Sequence, residues 1–303
     1  MTQIHENVCI QASGLSRRFG KTQALDALSF SMEGQQIIGL LGRNGAGKST
    51  LLRILSAQLK ADAGEVSMFG KGVTSAAALR DFCLIGDDPD FGKLVKIKEL
   101  FFVCEGLFPN WDADYAARLV ERFELPMKKK IKGFSRGMQT ALLLTVGLAS
   151  RARLTMFDEP SLGLDAVMRE RFYDQLLEER RNHPERTFVV STHLIDEVAR
   201  ALDSAVMIDA GRLLCEGSIQ SLTSLYISVS GAADAVQELT QPFTVLKEEE
   251  MAGSLVRHIR LGTAEDAEAI KADSRVQSAP MSLQRLFVFL TEEKGESRRA
   301  DND

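Results

Sequence analysis

The chain has 303 residues, 45% hydrophobic and 26% charged, a balance that suits a globular protein with a substantial core, as one large domain or a large and a small one. Its 37 Lys and Arg stand against 42 Asp and Glu, a net charge of −5, so nothing global favours nucleic acid as a partner. Cys9, Cys83, Cys104 and Cys215 form neither a CxxC pair nor a metal-ligand spacing, which fits buried thiols in a reducing cytosol, and the first ten residues have neither the basic start nor the apolar core of a secretory signal.

In chain order, residues 8–20 and 24–34 are predicted as strands on either side of a Gly20-Lys21 turn. The apolar run 35–41 is a short strand ending in glycines; 48–59 is a helix with Leu52, Leu55 and Leu59 on one face, and 64–70 returns as a strand. Residues 97–125 turn helical: one segment stops at Pro109, and the next starts at Asp112, a plausible N-cap, and stops at Pro126. The Lys128–Lys130 run is read as a solvated loop. Gly137–Ser150 holds 14 uncharged residues, short of the roughly 20 that a helix needs to span a bilayer. The uncharged stretch 217–233 is rich in Ser and Thr, so the chain is not expected to cross a membrane alone. A buried strand at 153–157, a helix at 165–182 and a strand at 187–191 make a strand–helix–strand alternation that argues a parallel α/β core. Beyond about residue 218, strands at 224–230, 243–249 and 254–261 alternate with helical pieces at 232–239, 263–272 and 281–291. They read as a small separate α+β domain with a frayed charged tail at 292–303.

The chemistry concentrates in four stretches. GRNGAGKST (42–50) fits G-x-x-x-x-G-K-[ST] after an apolar strand and before a helix, the context that a phosphate-binding loop requires. Gly42, Gly45 and Gly47 let backbone N–H groups turn inward around phosphate oxygens, and the start of the next helix adds its dipole. Asn44, Ala46 and Thr50 complete the loop; Lys48 is placed to reach the β- and γ-phosphates of ATP, and Ser49 to ligate Mg²⁺. The strand 153–157 runs into Asp158, a second metal carboxylate, and Glu159, placed to orient or deprotonate an attacking water.

Together with FSRGMQ (134–139), MFDEPSLGLD (156–165) and STH (191–193), the loop closely resembles an ATP-binding-cassette (ABC) ATPase over roughly residues 7–220. The resemblance implies a P-loop NTPase core with an antiparallel β subdomain and a helical subdomain at about 89–150, within an ATPase domain of 1–220, followed by the α+β domain at 221–303. It implies that Ser135 and Gly137 begin a helix that meets the γ-phosphate held by a second copy, in a head-to-tail dimer that sandwiches two nucleotides. It further implies that Phe19 stacks on adenine, that Gly163 and Asp165 lie in the segment connecting the two sites, and that His193 contacts the γ-phosphate. Asp165 also reads as a plain N-cap for helix 165–182.

Two departures from the family pattern stand out. Asp87, followed by Asp88, occupies the usual Gln position, close to Mg²⁺ or its waters but adding negative charge near the γ-phosphate. Arg136 and Met138 replace a Gly and the Gln of the Leu-Ser-Gly-Gly-Gln signature, much as in the Ser-Lys-Gly-Met form of some bacterial exporters. Arg136 puts a cation near the opposite phosphate or is a solvated side chain. The short interval from Asp87 to Phe134 and the ending SLQRLFVFLTEEKG (282–295) resemble export-type ATP-binding subunits, including those of antibiotic efflux. The expected partner is therefore a separate transmembrane permease, with the chain cytoplasmic and peripheral on the inner face of the cell membrane. A soluble ABC ATPase acting on ribosomes or DNA is the alternative; the interval is too short for the coiled coils of the DNA-acting kind. A GTPase lacks support because no Asn-Lys-x-Asp motif is present.

Overall fold

The computed structural model describes residues 8–74, 81–86, 96–251 and 253–300. Its centre is a six-stranded sheet in the order β10-β9-β3-β8-β7-β6. β3 (Ile37–Leu41), β6 (Phe82–Ile85), β7 (Leu154–Asp158), β8 (Thr187–Thr192) and β9 (Ser204–Asp209) run parallel, and β10 (Arg212–Ser218) closes one edge antiparallel to β9. β3, β7 and β8 are buried at every position, as strands covered on both faces must be; β3 is apolar throughout, and β7 and β8 carry their polar residues chiefly toward their ends. β8 lies between β3 and β7, so the ends of all three open onto one edge.

β1 (Val8–Phe19) and β2 (Thr22–Glu33) pair around the Gly20-Lys21 turn. β4 (Ala63–Met68) and the short β5 (Lys71–Gly72) extend them into a four-stranded antiparallel sheet, ordered β2-β1-β4-β5. Its apolar face shares one cluster with α1 (Lys48–Leu55) and with β3 residues Ile38 and Leu40. α1 stops at Leu55, four residues before the predicted end: Ser56 caps it and Ala57 turns left-handed (φ 57°), so Leu59 reaches the same cluster from a turn rather than from the helix.

The helical part comprises α2 (Ile97–Leu107), α3 (Ala113–Arg122) and α4 (Arg136–Ala149). Asp112 caps α3 as expected, accepting the Tyr115 N–H at 2.8 Å. α4 buries Ala141, Leu142 and every residue from Leu144 to Ala149 while its N-terminal turn stays at the surface, which makes the uncharged run a core helix. α5 (Ala166–Asn182), the four-residue α6 (Ile195–Val198) and α7 (Ile219–Leu225) complete the α/β unit. Burial pushes the thiols of Cys9 and Cys83 up to about 12, so both are protonated core groups.

The segment 226–280 has the order β11 (Tyr226–Gly231), α8 (Ala233–Thr240), β12 (Thr244–Met251), β13 (Ser254–Arg260), α9 (Ala264–Ala272), β14 (Val276–Pro280). With the sheet ordered β12-β13-β11-β14 and every pairing antiparallel, this is a split β-α-β, ferredoxin-like motif. Ile227, Val229, Val236, Leu255, Ile259 and Ile270 form its own apolar cluster. α10 (Leu283–Ala300) then packs against β12, α6 and α7. The tail predicted to fray is therefore helical to Ala300, in keeping with the helix propensity of its Glu, Lys and Arg residues.

Candidate nucleotide site

Three strand ends build the site. After β3 the loop 42–47 is held from behind: Gly42 donates its N–H to the Thr192 carbonyl at 3.3 Å, and the Ala46 carbonyl accepts from Gly211 at 2.9 Å. A Cβ on Gly42 would stand 2.5 Å from the Ile208 carbonyl. Gly45 and Gly47 have φ of +82° and +104°, the left-handed region where glycine costs least. Asn44, Gly45 and Ser49 are exposed, Thr50 is half-buried, and Ala46 packs inward. Gly47 caps α1 without a side-chain acceptor, so the first N–H groups of the helix are not claimed by a capping side chain. The loop thus has the form of a phosphate cradle.

Lys48 is 5% exposed; its Nζ donates to the Gly42 carbonyl at 2.7 Å and lies 3.1 Å from Oε1 of Glu159. Glu159 itself sits at φ +48°, a strained conformation for a side-chain-bearing residue, fixed by its N–H on the Ser191 carbonyl at 2.8 Å. Its second oxygen is 2.9 Å from Nδ1 of His193. Asp158, the last residue of β7, accepts from the Ser191 hydroxyl at 2.8 Å. Ser191, to which the sequence motif assigns no role of its own, ties β8 to both carboxylate residues. Asp158 and Ser49 are the hard oxygen donors that Mg²⁺ prefers. Among the described residues, no group of three or more His, Cys, Asp and Glu side chains could hold a metal ion by themselves.

Phe19, at the end of β1, is 47% exposed, with the Arg17 guanidinium 4.9 Å from its ring centroid. Ser135 caps α4, accepting the Met138 N–H at 3.3 Å. Gly137 lies so close to Gly163 that a Cβ would stand 2.7 Å from the Gly163 carbonyl, and Thr140 donates to the Leu162 carbonyl at 3.2 Å. The stem of Arg136 runs over Gly163, about where a Cβ would meet its Cγ at 3.1 Å, so Arg136 rests on the loop after Glu159. Asp165 does cap α5, accepting from Met168 at 2.8 Å. Asp87 lies outside the described residues.

At the far end of α4 lies a buried knot that no local sequence pattern announces. Arg186 donates to the carbonyls of Leu148 and Ala152 at 3.0 Å and to Glu179 at 2.5 Å, and Glu179 also binds Arg151, which pairs with Asp112 at 2.9 Å. These groups fix the C-terminus of α4, the start of α3 and α5 to one another.

A Gly-rich loop between a buried strand and a helix, facing carboxylates on the next strand but one, defines a P-loop nucleoside triphosphatase. The ABC transporter family profile matches residues 25–162. The daunorubicin resistance ATP-binding protein DrrA3 of Streptomyces coeruleorubidus is 31% identical over 224 residues, 71% of this chain and 70% of that protein. The Nod factor export ATP-binding protein I of Rhizobium sp. (strain N33) is 28% identical over 306 residues, 94% of this chain and 97% of that one. Among solved structures, an ATP-binding subunit of an ABC transporter superposes with a TM-score of 0.64 at 23% identity, covering 71% of this chain and 91% of its own. The chain belongs to the ABC transporter family as an ATP-binding subunit, and it is an ATPase.

Proposed function

We propose that this chain powers export through a separate membrane-spanning partner, working at the inner face of the cell membrane as a head-to-tail dimer that closes around two ATP molecules. The observation that carries the catalytic part is the Glu159 carboxylate, held by Lys48 on one oxygen and by His193 on the other at the edge where β3, β7 and β8 end. When ATP binds, Lys48 turns from Glu159 to the β- and γ-phosphates, beside the N–H groups of the loop. Glu159, still oriented by His193, then takes the proton of the attacking water. Ser49 and Asp158, and Asp87 as a sequence expectation, would hold Mg²⁺, which would neutralise charge developing on the phosphates.

The dimer reading is supported by the exposed N-terminal turn of α4. Ser135 and Arg136 face solvent there at the positive end of a 14-residue helix, a favourable place for the γ-phosphate held by a second copy. The membrane partner is supported by α2, whose Phe102 (76% exposed), Val103 and Leu107 (68%) form an apolar stripe for a helix of the permease. Export is supported by the drug-resistance and Nod factor export proteins among the relatives. We further divide the chain near residue 220 into an ATPase domain and a C-terminal module. Among the described residues, no helix is long and apolar enough to cross a membrane.

The test is steady-state ATP hydrolysis against protein concentration, with Glu159→Gln run on a sizing column with and without Mg-ATP. Specific activity rising with concentration, and a dimer of the variant only with nucleotide, support the sandwich. A flat activity and a monomer in both conditions overturn it. Phe102→Glu should release the chain from washed membranes; unchanged membrane association removes α2 as the docking face.

A further inference from the structure

The C-terminal helix touches both halves of the molecule on adjoining faces. Leu283, Leu286, Phe287 and Leu290 recur at i, i+3, i+4 and i+7 and are buried in the same apolar cluster as Ile195 and Val198 of α6. α10 packs on α6, the four-residue helix that begins two residues beyond His193. A helix so short has no stability of its own, and its place is set by what surrounds it. From the other side α5 holds it, through an Arg169–Glu197 ion pair and an Arg200–Glu170 contact of 2.8 Å just beyond its end.

On the neighbouring face α10 meets the C-terminal sheet through one polar cluster, in which the half-exposed Arg285 covers the buried His258 and Phe289. Arg285 donates to Nε2 of His258 at 2.9 Å and to Glu249 at 3.2 Å, and the Phe289 ring lies 4.8 Å from the imidazole. Since a guanidinium only donates, Nε2 accepts and His258 is neutral, so Nδ1 carries the proton and donates to the Ser228 hydroxyl at 2.8 Å. His258 is 1% exposed. One arginine thus fastens α10 to β12 and, through a ring that in turn grips β11, to β13.

We propose that α10 is a positioning strut: docked by Arg285 on His258 and Glu249, it lets the C-terminal module hold the His193 segment where the imidazole orients Glu159. This rests on the catalytic reading of Glu159 and His193 above. Release of the latch loosens α6 and with it His193, slowing the chemical step while leaving ATP binding by the loop 42–50 alone.

The experiment compares kcat and KM for ATP in the full chain and in its Arg285→Met, Arg285→Lys and His193→Ala variants, with hydrogen exchange read over residues 194–201. Arg285→Met should lower kcat by about tenfold, the scale of a small misplacement of a catalytic group, with KM unchanged and faster exchange at 194–201. Arg285→Lys, which keeps donors for His258 and Glu249, should restore most of the rate. If Arg285→Met does not fold, Ser228→Ala loosens the same cluster more gently and should move kcat and exchange in the same direction. A native or raised kcat with native exchange at 194–201 overturns the strut. Loss of rate in His193→Ala beside a native Arg285→Met separates that failure from failure of the site reading, in which His193→Ala itself would keep the native rate.

Discussion

Nζ of Lys48 lies 3.1 Å from Oε1 of Glu159, so the cation of the glycine-rich loop and the carboxylate proposed to act on water are ion-paired, both largely buried. Each needs the other until phosphate oxygens compete for the ammonium, because an unpaired buried charge is costly. Glu159→Gln keeps an oxygen for Lys48 but no longer takes a proton. Its kcat should fall by about 10²- to 10³-fold, within the usual range for a general base, while KM for ATP does not rise. Single-turnover hydrolysis at the native rate in this variant would show that the base lies elsewhere.

Two glycines of the loop should behave differently on substitution by alanine. Gly45 has open space around its missing Cβ, so Gly45→Ala meets only the left-handed φ, a cost of about 1–2 kcal/mol. At Gly47 the same penalty is joined by a Cβ placed 2.5 Å from the Ala24 carbonyl, which cannot move without disturbing β2. Gly47→Ala should lose ATP binding in equilibrium titrations where Gly45→Ala only weakens it. Equal affinities would mean that the loop is not held against β2 as described.

These contrasts show what the sequence could and could not disclose. The candidate edge where these strand ends meet was legible because each part is local: GRNGAGKST is a loop signature, and Glu159 and His193 each directly follow buried strands. That β8 separates β3 from β7 depends on pairings between distant segments, which no local pattern encodes. In the sequence Glu179 is one of several charged residues of α5, and only burial beside Arg186 distinguishes it. β9 and β10 lie outside the predicted strands although they are longer than β3 and β7, so length does not explain them; β14 starts from a single buried Val276 and ends at Pro280, a pattern too weak to mark a strand. The C-terminal strands β11, β12 and β13 alternated clearly enough to be found, but the βαββαβ order needed the fourth.

Phe19 offers a half-exposed ring at the end of β1. Stacking of a base on an aromatic is worth about 1–3 kcal/mol, so Phe19→Ala should raise KM for ATP by about tenfold with kcat little changed, and Phe19→Tyr should restore it. A variant with native KM would place adenine elsewhere.

Removing the Glu179 carboxylate leaves Arg186, 2% exposed, and Arg151 without their shared anion. Breaking such a buried pair costs about 3–5 kcal/mol, so Glu179→Ala should unfold at markedly lower denaturant, whereas Glu170→Ala on the exposed face should be nearly neutral. Equal midpoints would show that the knot adds nothing net.

The Arg285–His258 contact makes the C-terminal module sensitive to acid. Burial, with the Arg285 charge beside it, holds His258 below its ordinary value of 6.5. The other groups around it are Ser228 on β11, Lys247 and Glu249 on β12 and Phe289 on α10; Glu249 and its hydrogen bond favour the protonated form, and Lys247 opposes it. In the unfolded chain the imidazole takes up a proton near 6.5, in the folded module only at lower pH. The contribution of the neutral ring to stability is thus complete above 6.5 and is lost as pH falls from there toward the folded value. Denaturant unfolding followed between about pH 5 and pH 8 should show this loss on acidification, and His258→Gln should flatten it. The same slope in both proteins would assign the acid sensitivity to another group.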